Sequence, residues 1–139
     1  MTAALGPMTV GDLMTPDPIV AHVDMPLNEA AELMDFYRVT GLPVLDWNGM
    51  LAGVISQTDL LHARTTEALW ESWPGLAVRH LMTSPAVSVT AGTSIEAAAE
   101  LMERLKIHRL VVTAGDGVTT IGILAVADLV RTMAERGPA

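Results

Sequence analysis

Apolar residues follow two alternating rhythms along this chain. Short runs such as Leu42-Pro43-Val44-Leu45 and Met50 to Ile55 have the length of buried strands. Pro18 to Val23 and Ala86 to Val89 read the same way. Between these runs lie stretches with helical spacing. The first holds Leu27, Ala30, Ala31, Leu33, Met34, Phe36 and Tyr37; the second holds Ile95, Ala97, Ala98, Ala99, Leu101, Met102 and Leu105. Thr93-Ser94-Ile95-Glu96 predicts a capping box at the start of the second helix, and Pro26 sits early in the first, where its missing N–H does no harm. Asn48-Gly49 predicts a hairpin turn, with Ala114-Gly115-Asp116-Gly117 as its later counterpart.

A helix that covers one core needs an apolar stripe of about 100° or a little more. Both helical stretches are apolar over more than half their circumference, which predicts a second buried face against the other half of the chain or another copy of it. Glu96, Glu100 and Glu103 mark the solvent face of the second helix, so their spacing does not read as a catalytic pair.

The pattern repeats because the sequence does. Leu13-Met14-Thr15 recurs as Leu81-Met82-Thr83, an offset of 68 (81 − 13), and Ala30 to Met34 recurs as Ala98 to Met102. Past the hairpin the offset becomes 69, where Gly53, Asp59 and Leu60 match Gly122, Asp128 and Leu129. Matches in one order over about fifty positions mark a duplicated unit. The boundaries read as 8–66 for the first copy, 67–77 for a linker and 78–136 for the second. Each copy predicts a β-α-β-β-α unit, with a right-handed first crossover. The linker carries Trp70, Trp73 and Pro74, which read as a cap on an exposed core edge.

The stretch Gly53 to Leu61 concentrates the chemistry. Its strand ends at Ser56, and Asp59 follows in the first turn of a helix. The N–H groups exposed there favour anions, and a carboxylate can take O–H bonds from a vicinal diol such as ribose. Ser-x-x-Asp is also a helix cap, so both readings stand at this point. In the second copy both hydroxyl positions are lost: Ser56 and Thr58 become Ala125 and Ala127, while Asp128 remains.

Composition narrows the classes. A net charge of −8 argues against general nucleic-acid binding. No apolar run is long enough for a membrane span, and Met1 to Pro7 lacks the pattern of a signal peptide. The absence of cysteine excludes disulfides and thiolate metal sites and fits a cytoplasmic protein. His22, His62 and His80 are isolated, so no metal site is expected. Neither a Gly-rich phosphate loop nor a nucleophile with its base is visible, which predicts no catalytic residues and no enzyme activity. The nine methionines read as core filling.

Three elements carry a family resemblance: the Leu-Met-Thr opening of each copy, Lys106-Ile107-His108-Arg109-Leu110, and the closing Gly-apolar-apolar-Ser/Thr-x-x-Asp. Together, twice, at this spacing, they resemble a tandem pair of cystathionine-β-synthase (CBS) domains, a Bateman module, over about Val10 to Glu135. The resemblance implies an α/β (α+β) fold of two repeats packed with pseudo-twofold symmetry around two clefts. It also implies an adenine nucleotide or S-adenosylmethionine as regulatory ligand, with no cofactor required. Carried over, Asp59 holds the ribose with Ser56 and Thr58 beside it. Ile19, Leu42 and Pro43 line the base pocket, and Gly41 lets the base approach the backbone. Arg38, His108 and Arg109 serve the phosphates. A second, weaker site would use Val87, Leu110 and Asp128, although Val111 stands where the first copy has Pro43. The resemblance implies a homodimer that regulates a partner protein of unknown identity, without nucleic acid or membrane. The alternative function is a CBS-fold dimerisation scaffold without ligand.

Overall fold

The computed structural model describes residues 8–137. Met1 to Pro7 and the terminal Pro138-Ala139 lie outside the described residues, and with them the signal-peptide reading. The elements run α1 (Val10–Leu13), β1 (Thr15–Pro16), β2 (Ala21–His22), α2 (Leu27–Tyr37), β3 (Gly41–Leu45), β4 (Leu51–Ser56), α3 (Gln57–Thr65) and α4 (Glu67–Ser72). A 3-10 turn at Trp73–Gly75 follows, then α5 (Val78–Leu81), β5 (Ser88–Thr90), α6 (Ile95–Leu105), β6 (Arg109–Thr113), β7 (Thr120–Ala125) and α7 (Val126–Arg136). The fold is mixed α/β with two sheets, as the alternating pattern predicts.

The chain divides into two compact units. The first holds Pro18–Ala86; among the described residues the second joins 8–17 to 87–137. These units and the sequence repeat are different divisions of the chain. The first unit has a three-stranded sheet in the order β2-β3-β4, and the second a four-stranded sheet, β1-β7-β6-β5. In each, a parallel pair is made by crossover through the long helix, and an antiparallel pair by the hairpin.

The two cores use the same positions of the repeat. Leu27, Ala30, Met34, Leu42, Val44, Ile55 and Val78 form the first, and Ile95, Ala98, Met102, Leu110, Val112, Leu124 and Val10 the second. All are buried to within a few per cent. Val10 and Val78 show how the openings are distributed. The opening of the second copy, α5 onward, packs in the first unit; that of the first copy, α1 and β1, packs in the second.

The Leu-Met-Thr signature follows from this. After α5, Thr83 bridges Val54 of β4 through a backbone pair of 2.9 and 3.0 Å. After α1, Thr15 and Pro16 pair antiparallel with Ile123 and Gly122 of β7. The glycine of each final strand is the point of closest approach. A Cβ on Gly53 would stand 2.5 Å from the carbonyl oxygen of Thr83, and one on Gly122 would stand 2.5 Å from the Met14 sulfur. Repeated Gly and Leu-Met-Thr are therefore two sides of one contact.

Several local expectations need correction. The strand predicted over 18–23 shrinks to Ala21–His22. Pro26 is the N-cap of α2 rather than a helical residue. Ser94, not Thr93, caps α6: its Oγ accepts from Ala97 N at 3.1 Å, while Thr93 Oγ1 bonds Thr90. The Asn48-Gly49 turn forms as predicted, with Asp46 Oδ1 accepting from Asn48 and Met50 N–H. In the other hairpin, bonds from the Thr119 hydroxyl and backbone and from Val118 N–H hold the Asp116 carboxyl at about 2. The expected linker contains α4; Trp73 packs on the first core, Trp70 lies against it at 5.4 Å, and Arg64 sits 4.7 Å over Trp70. The over-wide face of α2 leaves Phe36 at 77% and Tyr37 at 47% exposure.

Gly53 and Gly122 predict different tolerance. The obstacle at Gly53 is a hydrogen-bonded backbone carbonyl, whereas at Gly122 the nearest atom belongs to a flexible methionine. Gly53→Ala should lower stability by about 1–3 kcal/mol, as overpacking does, and Gly122→Ala by clearly less, read as denaturant midpoints. Equal losses would mean that Thr83 yields as readily as Met14.

Candidate functional site

Strand β4 ends at Ser56 and α3 begins at the next residue, so the hydroxyl and carboxylate of the Ser-x-x-Asp turn meet at a helix N-terminus. Ser56 is buried at 8% exposure. Its N–H donates to Asp59 Oδ2 at 2.8 Å and its hydroxyl to the same oxygen at 3.0 Å. Ser56 Oγ accepts from Asp59 N–H at 3.3 Å and lies 3.1 Å from Thr58 Oγ1. With Ser56 donating to the carboxylate, Thr58 is the donor to Ser56, which gives a chain of two hydroxyls ending on Asp59. The turn is thus a true capping box, but the cap uses one carboxylate oxygen. Among the described hydrogen bonds none reaches Oδ1 of Asp59. The capping and acceptor readings of the sequence thus hold together, the cap on Oδ2 and the acceptor on Oδ1.

The equivalent turn of the second unit is closed. Asp128 Oδ2 accepts from Ala125 N–H at 2.8 Å, and Oδ1 accepts from Arg131 Nη2 at 2.8 Å. The Asp128 side chain is 14% exposed and that of Arg131 59%. Arg131 stands where the first copy has His62, and Ala125 and Ala127 supply no hydroxyls.

The neighbouring strand differs too. Register sets Gly41 opposite Ser56 and Pro43 opposite Val54, and Gln57 N–H donates to Thr40 O at 2.9 Å. The start of β3 therefore adjoins the carboxylate turn. In the second unit Val111 N–H donates to Val87 O at 3.2 Å, which extends β5 to Ser88. Pro43 has no N–H to give at the equivalent position. The Ile19 carbonyl, equivalent to that of Val87, loses this partner, and β2 is one residue shorter than β5. One substitution thus removes this backbone hydrogen bond where β2 is the shorter strand.

Leu42 and Leu110, expected to line base pockets, are core residues at 0% exposure. Side chains alternate along a strand, so Gly41 and Pro43 share the face opposite Leu42. Ile19 packs against the first core and Val87 against the second. Arg38 is exposed at the C-cap of α2 with φ +57°, and its counterpart Lys106 caps α6 with φ +56°. Both belong to the left-handed region that glycine usually fills at helix ends. His108 and Arg109 belong to the second unit: His108 O accepts from Val126 N–H at 2.9 Å, and half-buried Arg109 opens β6 opposite Ala125. Sequence reasoning missed Arg131, although a basic residue three positions after a helical carboxylate is a visible pairing signal. Among the described residues no cluster of three His, Asp or Glu could hold a metal, and no helix is long and apolar enough to cross a membrane.

The CBS domain family model matches residues 10–65 and 78–135. The chain belongs to the CBS domain family. A curated CBS relative, CBSX2 of the Arabidopsis thaliana chloroplast, is 35% identical over 153 residues, covering 91% of this chain and 63% of that protein. Inosine-5'-monophosphate dehydrogenase of Mycobacterium leprae is 34% identical over 120 residues, covering 86% of this chain and 21% of the enzyme. The chain thus spans about a fifth of that dehydrogenase and under two thirds of CBSX2. The crystal structure of CBSX2 in complex with AMP is 37% identical, with TM-score 0.78, covering 92% of this chain and 97% of that one. A CBS domain pair solved with 5'-methylthioadenosine and S-adenosyl-L-methionine shares the fold at TM-score 0.83 and 23% identity, covering 92% of this chain and 97% of that one.

The left-handed caps carry a prediction. A side chain in that region costs about 1–2 kcal/mol, and part of this is returned as glycine's larger unfolded-state entropy. Arg38→Gly and Lys106→Gly should each raise stability by about 0.5–1 kcal/mol, read as a higher melting temperature. A fall would show that these side chains make contacts that outweigh the strain.

Proposed function

We propose that this CBS pair is a non-catalytic regulatory module that binds an adenosyl ligand such as AMP at the Ser56-x-x-Asp59 turn of the first unit. One observation carries the reading: the differences between the two repeats fall on the same small region. In the first unit the described hydrogen bonds leave one carboxylate oxygen of Asp59 open, two hydroxyls sit beside it, and Pro43 has no N–H to give the Ile19 carbonyl. In the second, Arg131 and a backbone N–H occupy both oxygens of Asp128, and Val111 closes the strand.

These groups suit an adenosine. The open oxygen of Asp59 accepts from ribose hydroxyls, and the Ile19 carbonyl accepts from the exocyclic amine of adenine. Gly41 and Pro43, buried on the face of β3 opposite Leu42, add little bulk there. Arg38, held by its strained cap, supplies positive charge for a phosphate in a protein of net charge −8. The AMP bound to CBSX2, a 37% identical relative, supports the ligand class. The exposed Phe36, Leu61, Val130 and Met133 support a homodimer built on helical faces. The regulated partner is a protein that senses ligand through this pair.

A net hydrogen bond is worth about 1 kcal/mol, more when one group is charged. The second turn should therefore bind about ten- to a hundred-fold more weakly than the first. Titration calorimetry with AMP tests this. Asp59→Asn should abolish the tight phase, and Asp128→Asn should leave it intact. The reverse outcome would assign the site to the second unit. No heat and no thermal shift from AMP, ADP, ATP or S-adenosylmethionine would favour a ligand-free dimerisation scaffold.

A further inference from the structure

The two carboxylates sit in matching backbone frames. Asp59 and Asp128 are each the third residue of their helix, and each takes the N–H of its N-cap residue on Oδ2 at 2.8 Å. Both are partly buried. Three positions further on the helices differ: the first unit has His62 and the second Arg131, both exposed. Arg131 Nη2 donates to Asp128 Oδ1 at 2.8 Å. Among the described residues the His62 side chain has no hydrogen-bond partner. The first unit places no other guanidinium there. Arg64 lies over Trp70, Arg79 pairs with Asp24, and Arg38 caps α2.

We infer that the residue three positions after the carboxylate sets how readily each turn accepts a vicinal diol. His62 leaves the outer oxygen of Asp59 to a ligand, and Arg131 takes that oxygen on Asp128. The inference rests on the ligand reading of the Ser56 turn and names a specificity-determining residue outside its contacts. Reach is the first argument. Residues at i and i+3 share a helix face. A guanidinium on three methylenes spans that distance, whereas an imidazole sits on one. Competition is the second. A diol hydroxyl and a guanidinium N–H are both donors to the same lone pairs, and the ionised donor forms the stronger bond. Independence from the hydroxyls is the third. Ser56 Oγ bonds Oδ2 of Asp59, and Thr58 bonds Ser56. The loss of both hydroxyls in the second unit therefore leaves Oδ1 of Asp128 untouched, and Arg131 alone accounts for its closure. The effect has a bounded size. A surface ion pair shifts an equilibrium by up to about five-fold, and the 14% exposure of Asp128 raises this somewhat.

Adenosine is the probe for the test, because it carries the diol without a phosphate that an added arginine would attract. In titration calorimetry His62→Arg should weaken adenosine binding about three- to ten-fold. Its circular dichroism melt should be no lower, since the change adds an i,i+3 ion pair. His62→Met adds a long uncharged chain and should keep the affinity within about two-fold. In about 1 M sodium chloride the arginine loss should shrink, because salt screens the ion pair. An equal loss in His62→Met, or a loss that salt does not move, would make bulk the cause and overturn the inference. Unchanged binding by His62→Arg, with binding abolished by Asp59→Asn, would overturn it and leave the ligand reading standing. No adenosine binding by the unmodified protein, or full binding by Asp59→Asn, would overturn the ligand reading and the inference with it. The second turn gives the reciprocal test. In the Asp59→Asn background, Arg131→Met should raise residual adenosine binding about three- to ten-fold, read by ligand-observed magnetic resonance. No gain would show that Arg131 is not what closes that turn.

Discussion

The structure depends on a close crossing: the opening segment of each repeat runs over the glycine of a final strand. Thr83 passes over Gly53 so tightly that its carbonyl oxygen occupies the space of a Cβ. That contact anchors the outer edge of β4 within the first unit, as Met14 and Thr15 anchor β7 in the second. The strand held there ends three residues later at Ser56, where the helix must start. The carboxylate turn is thus reached from an anchored strand, and its geometry inherits that rigidity. Moving the glycine, the opening segment or the strand end would move the turn.

On this shared frame the repeats divide their work. Their cores use equivalent residues, so the frame is conserved between the two units of one chain. The differences gather where β3 begins and β4 ends. A proline removes a backbone donor, two hydroxyls join a carboxylate, and a histidine stands where the other repeat has an arginine. The proline withholds a backbone donor on the first unit, the hydroxyls bond the inner oxygen of Asp59, and the arginine occupies the outer oxygen of Asp128 on the second. The same divergence marks the helix faces, with a projecting phenylalanine on one unit and an apolar groove on the other. Duplication supplied two equal scaffolds, and substitution at few positions gave each a distinct turn and a distinct surface.

Much of this was legible in order along the chain. The offset identities, the Asn48-Gly49 turn and the helical spacing of Leu27 to Met34 are local signals, and they predicted the duplicated β-α-β-β-α units. The exchange of opening segments was not legible, because pairing Thr83 with Val54 and Thr15 with Ile123 is a choice among distant partners that no local rule makes. The role of Leu42 was misjudged for want of its register: once Gly41 lies opposite Ser56, alternation sends Leu42 to the core. The consequence of Pro43 needed the same register, since only the Val111–Val87 hydrogen bond shows which carbonyl the proline leaves open. The Arg131–Asp128 pair lay within one turn of helix and could have been read beforehand. It would have explained sooner why the second carboxylate is closed.

The central claim is that the two turns, alike in fold, differ in openness. Hydrogen exchange followed with and without saturating AMP measures this at both sites in the unmodified protein. The account predicts slowed exchange at Gly41, Leu42 and Ser56 to Leu60, with little change at Leu110, Val111 and Ala125 to Leu129. Protection centred on Ala125 to Leu129, with the Ser56 turn unchanged, would contradict it.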